Sequence, residues 1–360
     1  MKARRSRRSF LASALRGATG LVLAPHLGIP PMLWGALTAE LVVRAFHTMG
    51  STLRIAVLAE SRTDGIEAIS DAFTEFDRLD RLLSVYRDDS TVSRINRAAG
   101  RGAVRVEDDV LEVIGHGRAF ARRLDGAFDT TLGPLMRAWG FRGDDALHPS
   151  VPSERDLLRM LESVGADQIV LDPRLQTVGL RSPGCTLDLG GIGVGFAIDR
   201  VVALLRHRGI DNAFINHSGD AYALGRPPDL EGWPVGIPDP RDPQTLALAF
   251  SISDRAVSSS GSYRNFRRQG DRIYGHLLNP RTGHPAEAHL AVTVIARSSL
   301  EADVLSTAAF CSDDAGGPNA VAGSCQGEVI RLDRSPSGHL VCSQYVQPGS
   351  PRTPLHSLDG

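Results

Sequence analysis

The stretch Cys185-Thr-Leu-Asp-Leu-Gly-Gly-Ile-Gly-Val-Gly-Phe-Ala-Ile-Asp199 decides the fold. It reads as a strand running into a glycine turn and then a helix carried by Ile198, Val201, Val202 and Leu205, with Gly209 at the C-terminal end. Backbone N–H groups at such a helix start can hold a pyrophosphate. The rival is a dinucleotide-binding βαβ unit. Its glycines should read G-x-G-x-x-G, with an acidic residue about twenty positions on at a strand end. Here they read G-G-x-G-x-G, and no acid stands clearly at such a place. The carboxylate lies before the turn, at Asp188, where it could meet a ribose, a base edge or a metal.

Moving outward, the order of elements also departs from strict βαβ alternation. Ile66, Ile69, Phe73, Phe76, Leu79 and Leu83 recur every three to four residues and predict an amphipathic helix ending near Ser84-Val85-Tyr86. Val110, Leu111, Ile114, Ala121 and Leu124 predict a second, stopped by Gly126. Strand-like runs occupy Leu53 to Leu58, Gln168 to Leu171, Ala213 to Asn216, Arg255 to Ser258 and Leu290 to Ile295. Prolines gathered between Arg226 and Pro243 indicate a loop or an edge strand. The class is α+β, a single domain with mixed sheets and packed helices spanning residues 45–346. The polar, proline-rich tail, residues 347–360, is expected to be disordered.

Lys2, Arg4, Arg5, Arg7, Arg8 and Arg16 precede any acid, and Ser6-Arg7-Arg8-Ser9-Phe10-Leu11 fits a twin-arginine export signal. A weakly apolar run follows, broken by Arg16 and several prolines, which suits a leader over residues 1–39 better than a membrane-spanning helix. The location read from it is the periplasm, with a membrane tether if the leader stays attached. Removing it takes six cations from a formal net charge of -1 and leaves about -7, which argues against a nucleic-acid partner. Lys2 is the only lysine. Cys185, Cys311, Cys325 and Cys342 show no C-x-x-C spacing, so they carry no metal signature; a disulfide and buried free thiols stay open as alternatives.

Two further clusters carry chemistry. Tyr274-Gly-His-Leu-Leu-Asn-Pro-Arg-Thr-Gly-His-Pro285 joins an imidazole, a guanidinium and a turn that brings hydroxyl and N–H groups near an anion. Alone it reads equally as a hairpin. Ser298 to Glu301 is a capping box opening a helix on which Asp303 and Thr307, four apart, share a face. A carboxylate and a hydroxyl so placed suit Mg²⁺; on an isolated helix they would be a dipole-favoured carboxylate and a self-bonded threonine.

Taken in order, the pieces resemble the ApbE family, the FAD:protein FMN transferases, a fold related to the T-fold. The resemblance runs through Met49-Gly50-Ser51, Leu83 to Tyr86 with Ser90 and Asn96, Gly126 to Thr130 with Gly133-Pro134-Leu135 and Trp139-Gly140, and the Asp188 turn. It continues with Asn216-His-Ser-Gly-Asp220, Ser259-Ser260-Gly261 with Tyr263, His276 to Pro285, and Ala302-Asp303 with Thr307. It implies that Met49, Tyr86, Ala127, Phe128, Asp129, Asp188 and Leu278 line an FAD site. It further implies that Asp303, Thr307 and the carbonyl of Gly191 hold Mg²⁺, with His276 as proton acceptor.

The implied reaction is Mg²⁺-dependent transfer of FMN from FAD to a Thr or Ser hydroxyl of an exported or membrane-attached redox partner, with AMP released. The alternatives are an FAD pyrophosphatase giving FMN and AMP, and a non-catalytic periplasmic flavin-binding accessory protein. The chain departs from the commonest family pattern at Val194 (lysine), Ser218 (glycine), Ser259 (threonine) and Asn279 (aspartate).

Overall fold

The computed structural model describes residues 39–142, 151–261, 266–269, 272–287, 289–312, 317–324, 327–349 and 352–357. All but the last residue of the expected leader, residues 1–39, lies outside them, as do Tyr263 and Cys325. The chain opens with the hairpin β1 (Glu40–Thr48) and β2 (Ser51–Ala59), followed by α1 (Arg62–Leu83) and α2 (Thr91–Arg97). A lobe follows of β3 (Ala103–Arg105), α3 (Asp108–Arg123), α4 (Gly133–Ala138), α5 (Glu154–Leu161), β4 (Ile169–Asp172) and β5 (Thr177–Leu180). Helix α6 (Gly193–His207) leads to β6 (Asn212–His217), β7 (Asp220–Leu224), β8 (Trp233–Asp239), β9 (Asp242–Ile252) and β10 (Arg255–Gly261). A short hairpin, β11 (Phe266–Gln269) and β12 (Arg272–Gly275), precedes β13 (Ala291–Ala296), α7 (Ser299–Cys311) and α8 (Gly317–Ser324). Strands β14 (Glu328–Arg334), β15 (Leu340–Val346) and β16 (His356–Ser357) complete the described chain.

Eight strands form the central sheet in the order β1-β2-β6-β7-β10-β13-β14-β15. Its inner strands are apolar on both faces, and the period of two sorts them. Ile55, Val57, Ile215, Tyr222, Val292 and Val294 face one core with α1, α6 and α7. Ala56, Leu58, Phe214, Val257 and Ile295 face the other, closed by β8 and β9 through Trp233, Val235 and Phe250. The architecture is therefore helices, sheet, sheet. This is why the strands read as apolar runs rather than as alternations.

The α+β class holds, and the expected mixed sheets resolve into antiparallel ones. Two-residue loops set that direction at two places. Met49 and Gly50 join β1 to β2 with φ of 45° and 73°, and Ser218 and Gly219 join β6 to β7 with φ of 52° and 118°. Positive φ at both central residues is the hairpin turn that matches strand twist. The two turns meet through a short hydroxyl contact between Ser51 and Ser218.

Where the structure differs from the reading of the sequence, the reasons are local. Ile66 fits the helical period but is exposed, while Ile69, Phe76, Leu79 and Leu83 are buried. Helix α3 stops at Arg123 because Asp125 and Gly126 both take positive φ, and the Gly126 N–H closes on the Ala121 carbonyl at 2.8 Å. The proline-rich stretch carries β8, an edge strand, with Pro234 and Pro238 inside it. Within the tail, Thr353 donates its N–H and hydroxyl to the Glu328 carboxylate, and β16 pairs with β9.

The largest difference concerns the stretch that opened the reading. Cys185 to Leu189 is not a strand; it runs beside residues 130–133, with a parallel bridge from Thr186 to Leu132, the Gly133 N–H donating to the Thr186 carbonyl at 3.2 Å and the Asp188 N–H to the Thr130 carbonyl at 2.8 Å. Among the described residues no named strand pairs with it. Instead the Asn96 amide plays the part of a neighbour, donating to the Leu187 carbonyl at 3.0 Å and accepting from the Leu187 N–H at 2.7 Å.

Candidate active site

Helix α7 places the first group. Ser298 caps it, its hydroxyl accepting from the Glu301 N–H at 3.2 Å, as the capping box predicts. Two more N–H groups of its open first turn, on Ser299 and Leu300, go to the Asp199 carboxylate at 2.7 and 2.9 Å. The helix is buried on nearly all sides, so Asp303 lies inside the protein at 5% exposure. Its Oδ2 accepts from the Gly195 N–H of α6 at 3.2 Å. Burial, and then the nearby Asp220 carboxylate, push its pKa well above the ordinary carboxylate range, with Asp199 adding to the effect.

The glycine turn supplies the opposing surface. A Cβ on Gly191 would stand 3.2 Å from both the Phe128 ring and Thr307 Oγ1. A side chain here would need the Phe128 ring and Thr307 to give way by a few tenths of an ångström, so glycine suits the close approach of the turn to the helix. Asp303, Thr307, Gly191, Ala127, Phe128, Asp129, Asp188, His276 and Leu278 all line one cavity of about 190 Å³. Met49 and Tyr86 do not line it. They line an adjoining groove of about 1190 Å³, to which Asp188 and His276 also belong. The residues expected at one site thus divide between a small chamber and a wide approach.

Asp129 accepts the Thr131 N–H at 2.7 Å and the Thr131 hydroxyl at 2.5 Å. Burial nonetheless raises its pKa, with Thr131 opposing. The neighbouring Cys185 thiol is pushed up to about 12 by burial and by the Asp129 charge, so it is an inert core group. Leu278 is buried and bridges to Pro285. The turn between them closes on Asn279, whose N–H donates to the His284 carbonyl at 2.8 Å and whose Oδ1 accepts from the Arg281 N–H at 2.9 Å. Trp139 pins the same turn, donating Nε1–H to the Gly283 carbonyl at 2.8 Å. His276 meets the Phe141 ring edge to face, at 6.4 Å between centroids.

Three features escaped the sequence reading. Arg142 lines both cavity and groove, donates from Nε to Asp188 Oδ2 at 2.8 Å, and lies 5.3 Å above the Tyr86 ring. Its sequence signal is only its place after Trp139-Gly140-Phe141. Asp220 stands in the Asn216 to Asp220 motif, yet nothing in the sequence indicates that the β6–β7 turn brings it to Asp303. Ser306 accepts or donates to Ser258 at 2.9 Å and Ser260 at 3.0 Å, backing the chamber with hydroxyls.

The donor set fits a hard cation. The Asp303 and Asp220 carboxylates, the Thr307 hydroxyl and Gly191 line one cavity, where burial and like charge disfavour ionisation of Asp303, a conflict that a cation would relieve. Among the described residues no group of three or more His, Cys, Asp or Glu could hold a metal. Any ion here would rest on mixed oxygen donors and solvent or substrate, which is Mg²⁺ chemistry rather than that of a Zn²⁺ cage.

Comparison with known proteins supplies the family. An FAD:protein FMN transferase of Klebsiella pneumoniae is 35% identical over 245 residues, covering 67% of this chain and 74% of its own length. One from Treponema pallidum is 32% identical over 289 residues, covering 74% and 77%. The apo flavinyl transferase ApbE of Pseudomonas stutzeri superposes with a TM-score of 0.75 at 30% identity, covering 85% of this chain and 95% of its own. The ApbE protein of Thermotoga maritima gives 0.76 at 27% identity, covering 84% and 97%. A model of the ApbE family matches residues 49–330, and the chain belongs to that family.

Proposed function

We propose that the protein transfers the FMN half of FAD to a Thr or Ser hydroxyl on a partner redox protein. The observation that supports this reading is the chamber itself, lined by buried Asp303, Asp220, Thr307 and His276, with His276 also lining the adjoining groove. An elongated nucleotide fits a chamber joined to a groove, with its pyrophosphate at the oxygen donors.

In the reaction, the acceptor oxygen attacks the FMN-side phosphorus and a new O–P bond forms. The bridging P–O bond breaks, and AMP leaves with the electron pair. His276 takes the acceptor proton, since an imidazole at the mouth lies on the side from which a hydroxyl can enter. Asp303, Thr307 and the Gly191 carbonyl would hold Mg²⁺, which supplies charge neutralisation on the phosphates when bound. Arg142, fixed on Asp188, adds a cation between chamber and groove. Tyr86, 70% exposed, offers a ring face on which a planar group can stack.

We place the reaction in the periplasm, on the strength of Arg7-Arg8 and the weakly apolar run after them. No helix among the described residues is long and apolar enough to cross a membrane. The decisive experiment incubates purified protein with FAD, Mg²⁺ and a candidate acceptor, followed by mass spectrometry. FMN added to the acceptor is the expected result. Free FMN and AMP with no labelling would make the protein a pyrophosphatase, and intact bound FAD under all conditions would leave only a flavin-binding accessory role.

A further inference from the structure

The β11–β12 hairpin stands apart from the sheets that build the domain. Among the described residues it pairs only with itself, as a two-stranded sheet. A lone hairpin of this kind is marginally stable in water unless something packs on it. Its register places Phe266 opposite Gly275 and Arg268 opposite Ile273, so Phe266, Arg268 and Ile273 share one face. Arg267 and Tyr274 share the other. That second face leans on the protein: Arg267 lies 5.7 Å above the Phe141 ring, and Tyr274 sits 5.2 Å from Trp139.

The first face is uncovered. Phe266 is 49% exposed and Ile273 48%, with Arg268 exposed between them. From Arg264 to Gly275 the sequence carries four arginines against the single acid Asp271, in a chain whose formal net charge is -1. This is a small apolar surface with a concentrated positive charge, carried by a protein that is otherwise slightly acidic. Its position gives it a purpose. Strand β12 ends at Gly275, one residue before His276, and Phe266 and Arg267 line the groove that reaches His276.

We propose that the Phe266–Arg268–Ile273 face docks an acidic, partly apolar polypeptide segment of the acceptor protein and leads its hydroxyl to His276. The proposal rests on the reading of the site as an FMN transferase. A protein substrate must contact the enzyme somewhere along the approach to the mouth, and this face is adjacent to it. Opposite charge there guides encounter and orientation more than it adds affinity. Free edges on a two-stranded sheet also suit an extended segment pairing alongside.

The test uses the full chain, FAD, Mg²⁺ and a pool of peptides that each carry one threonine in random flanks, with FMN-labelled peptides sequenced by mass spectrometry. Labelled peptides are expected to be enriched in Asp and Glu, and high salt should weaken the enrichment. Arg268→Glu combined with Ile273→Ser should bind FAD as the wild type does, because neither residue lines the chamber or the groove. Labelling of acidic peptides should fall roughly tenfold through a raised KM. Arg268→Glu alone should turn the preference toward basic flanks.

Labelling without acidic bias, or unchanged labelling by the double variant, would overturn the proposal. So would FAD cleavage with no peptide labelled. If the double variant instead loses binding to phosphatidylglycerol vesicles while peptide labelling is unchanged, the face is a membrane contact and the proposal fails. A wild-type chain that neither binds nor cleaves FAD would overturn the reading of the site, and this proposal with it.

Discussion

Asp303 Oδ2 accepts a hydrogen bond from the backbone N–H of Gly195 at 3.2 Å, tying the carboxylate of α7 to the first turn of α6. That N–H is one of the donors a helix start leaves without an intrahelical partner, and the helix dipole there favours a negative group. Burial and Asp220 work the other way, and they prevail, since the pKa of Asp303 is raised. The free protein therefore holds this carboxyl against its own electrostatics. A bound cation would reverse the balance.

Asp303→Asn separates the two roles of the side chain. The amide oxygen still accepts from Gly195, while the like-charge conflict with Asp220 disappears. Mg²⁺-dependent FMN transfer is expected to fall roughly a hundredfold or more. The melting temperature of the metal-free protein should stay level or rise. A variant that loses activity and melts well below the wild type would make Asp303 a structural residue.

Gly195→Ala tests how closely the two helices must approach. An added Cβ would lie 2.4 Å from the Ser299 carbonyl oxygen and 2.8 Å from Leu300 Cα, both backbone atoms of α7. Alanine would favour the helix by up to about 1 kcal/mol over glycine. Overpacking against backbone costs about 1–3 kcal/mol, so the clash prevails. Thermal denaturation should show a destabilised protein, and isothermal titration a weakened Mg²⁺ affinity, because α6 is pushed from Asp303. An unchanged melting temperature would show that α7 can shift freely.

Asp199 should make stability fall as pH rises. Burial lifts its pKa from 3.8 to about 6, more than the Ser299 and Leu300 N–H bonds lower it. Below the unfolded value both states are protonated. Between the two values the folded state binds the proton and the unfolded state does not, so stability declines with rising pH and levels off above about 6. The full effect is ~3 kcal/mol. Asp199→Asn removes the titration while losing one of the two acceptors, at a cost of about 1 kcal/mol. Urea denaturation of both proteins at several pH values should show the wild type losing ground to the variant between pH 4 and 6. A constant difference would show that Asp199 keeps its ordinary pKa when folded.

What the sequence made legible depended on how local each signal was. Strands β2, β6, β10 and β13 were readable because burial on both faces leaves an apolar run, and α1 because one face is buried at helical spacing. The Ser298 cap was readable because hydroxyl and acceptor stand three residues apart. The segment before the glycine turn was misread as a strand because its partners are a single bridge and two backbone bonds to residues 130–133 and the side chain of Asn96, ninety-one residues away, none of which leaves a periodic trace. Asp220 and Arg142 were missed for a related reason: the β6–β7 turn carries the first and the stretch after α4 the second, and only the packed fold sets where each comes to lie.

Arg142→Ala measures what that missed residue contributes. Its guanidinium fixes Asp188, which is 9% exposed at the side chain, and lies over Tyr86. Truncation leaves a carboxylate facing the nucleotide without its counter-charge, a change that disfavours an anionic ligand. Affinity for FAD should fall roughly tenfold or more, read by quenching of flavin fluorescence. Arg142→Lys should recover part of it, since a point charge replaces a planar fork. Equal affinity in all three proteins would remove Arg142 from the binding site.

Asn279 departs from the commonest family residue at its position, and the structure locates the consequence. Its side chain is 7% exposed and does not line the chamber, whereas Leu278 and Pro280 on either side do. Its Oδ1 holds the turn through the Arg281 N–H, a bond that aspartate could equally accept. Its backbone closes the turn from both ends, through His284 and Gly283. Asn279→Asp should therefore leave the FMN transfer rate within about twofold, because the wall keeps its shape and no group that touches substrate changes. The effect should appear in stability. A carboxylate buried there costs about 1–3 kcal/mol near neutral pH. Because burial raises a carboxyl pKa, the loss should shrink as pH falls toward 4 and the group takes up its proton. Thermal melts of the variant across that range, set beside its transfer rate at pH 7, distinguish the roles. A transfer rate raised well above wild type would mean that charge at this position acts on the reaction itself.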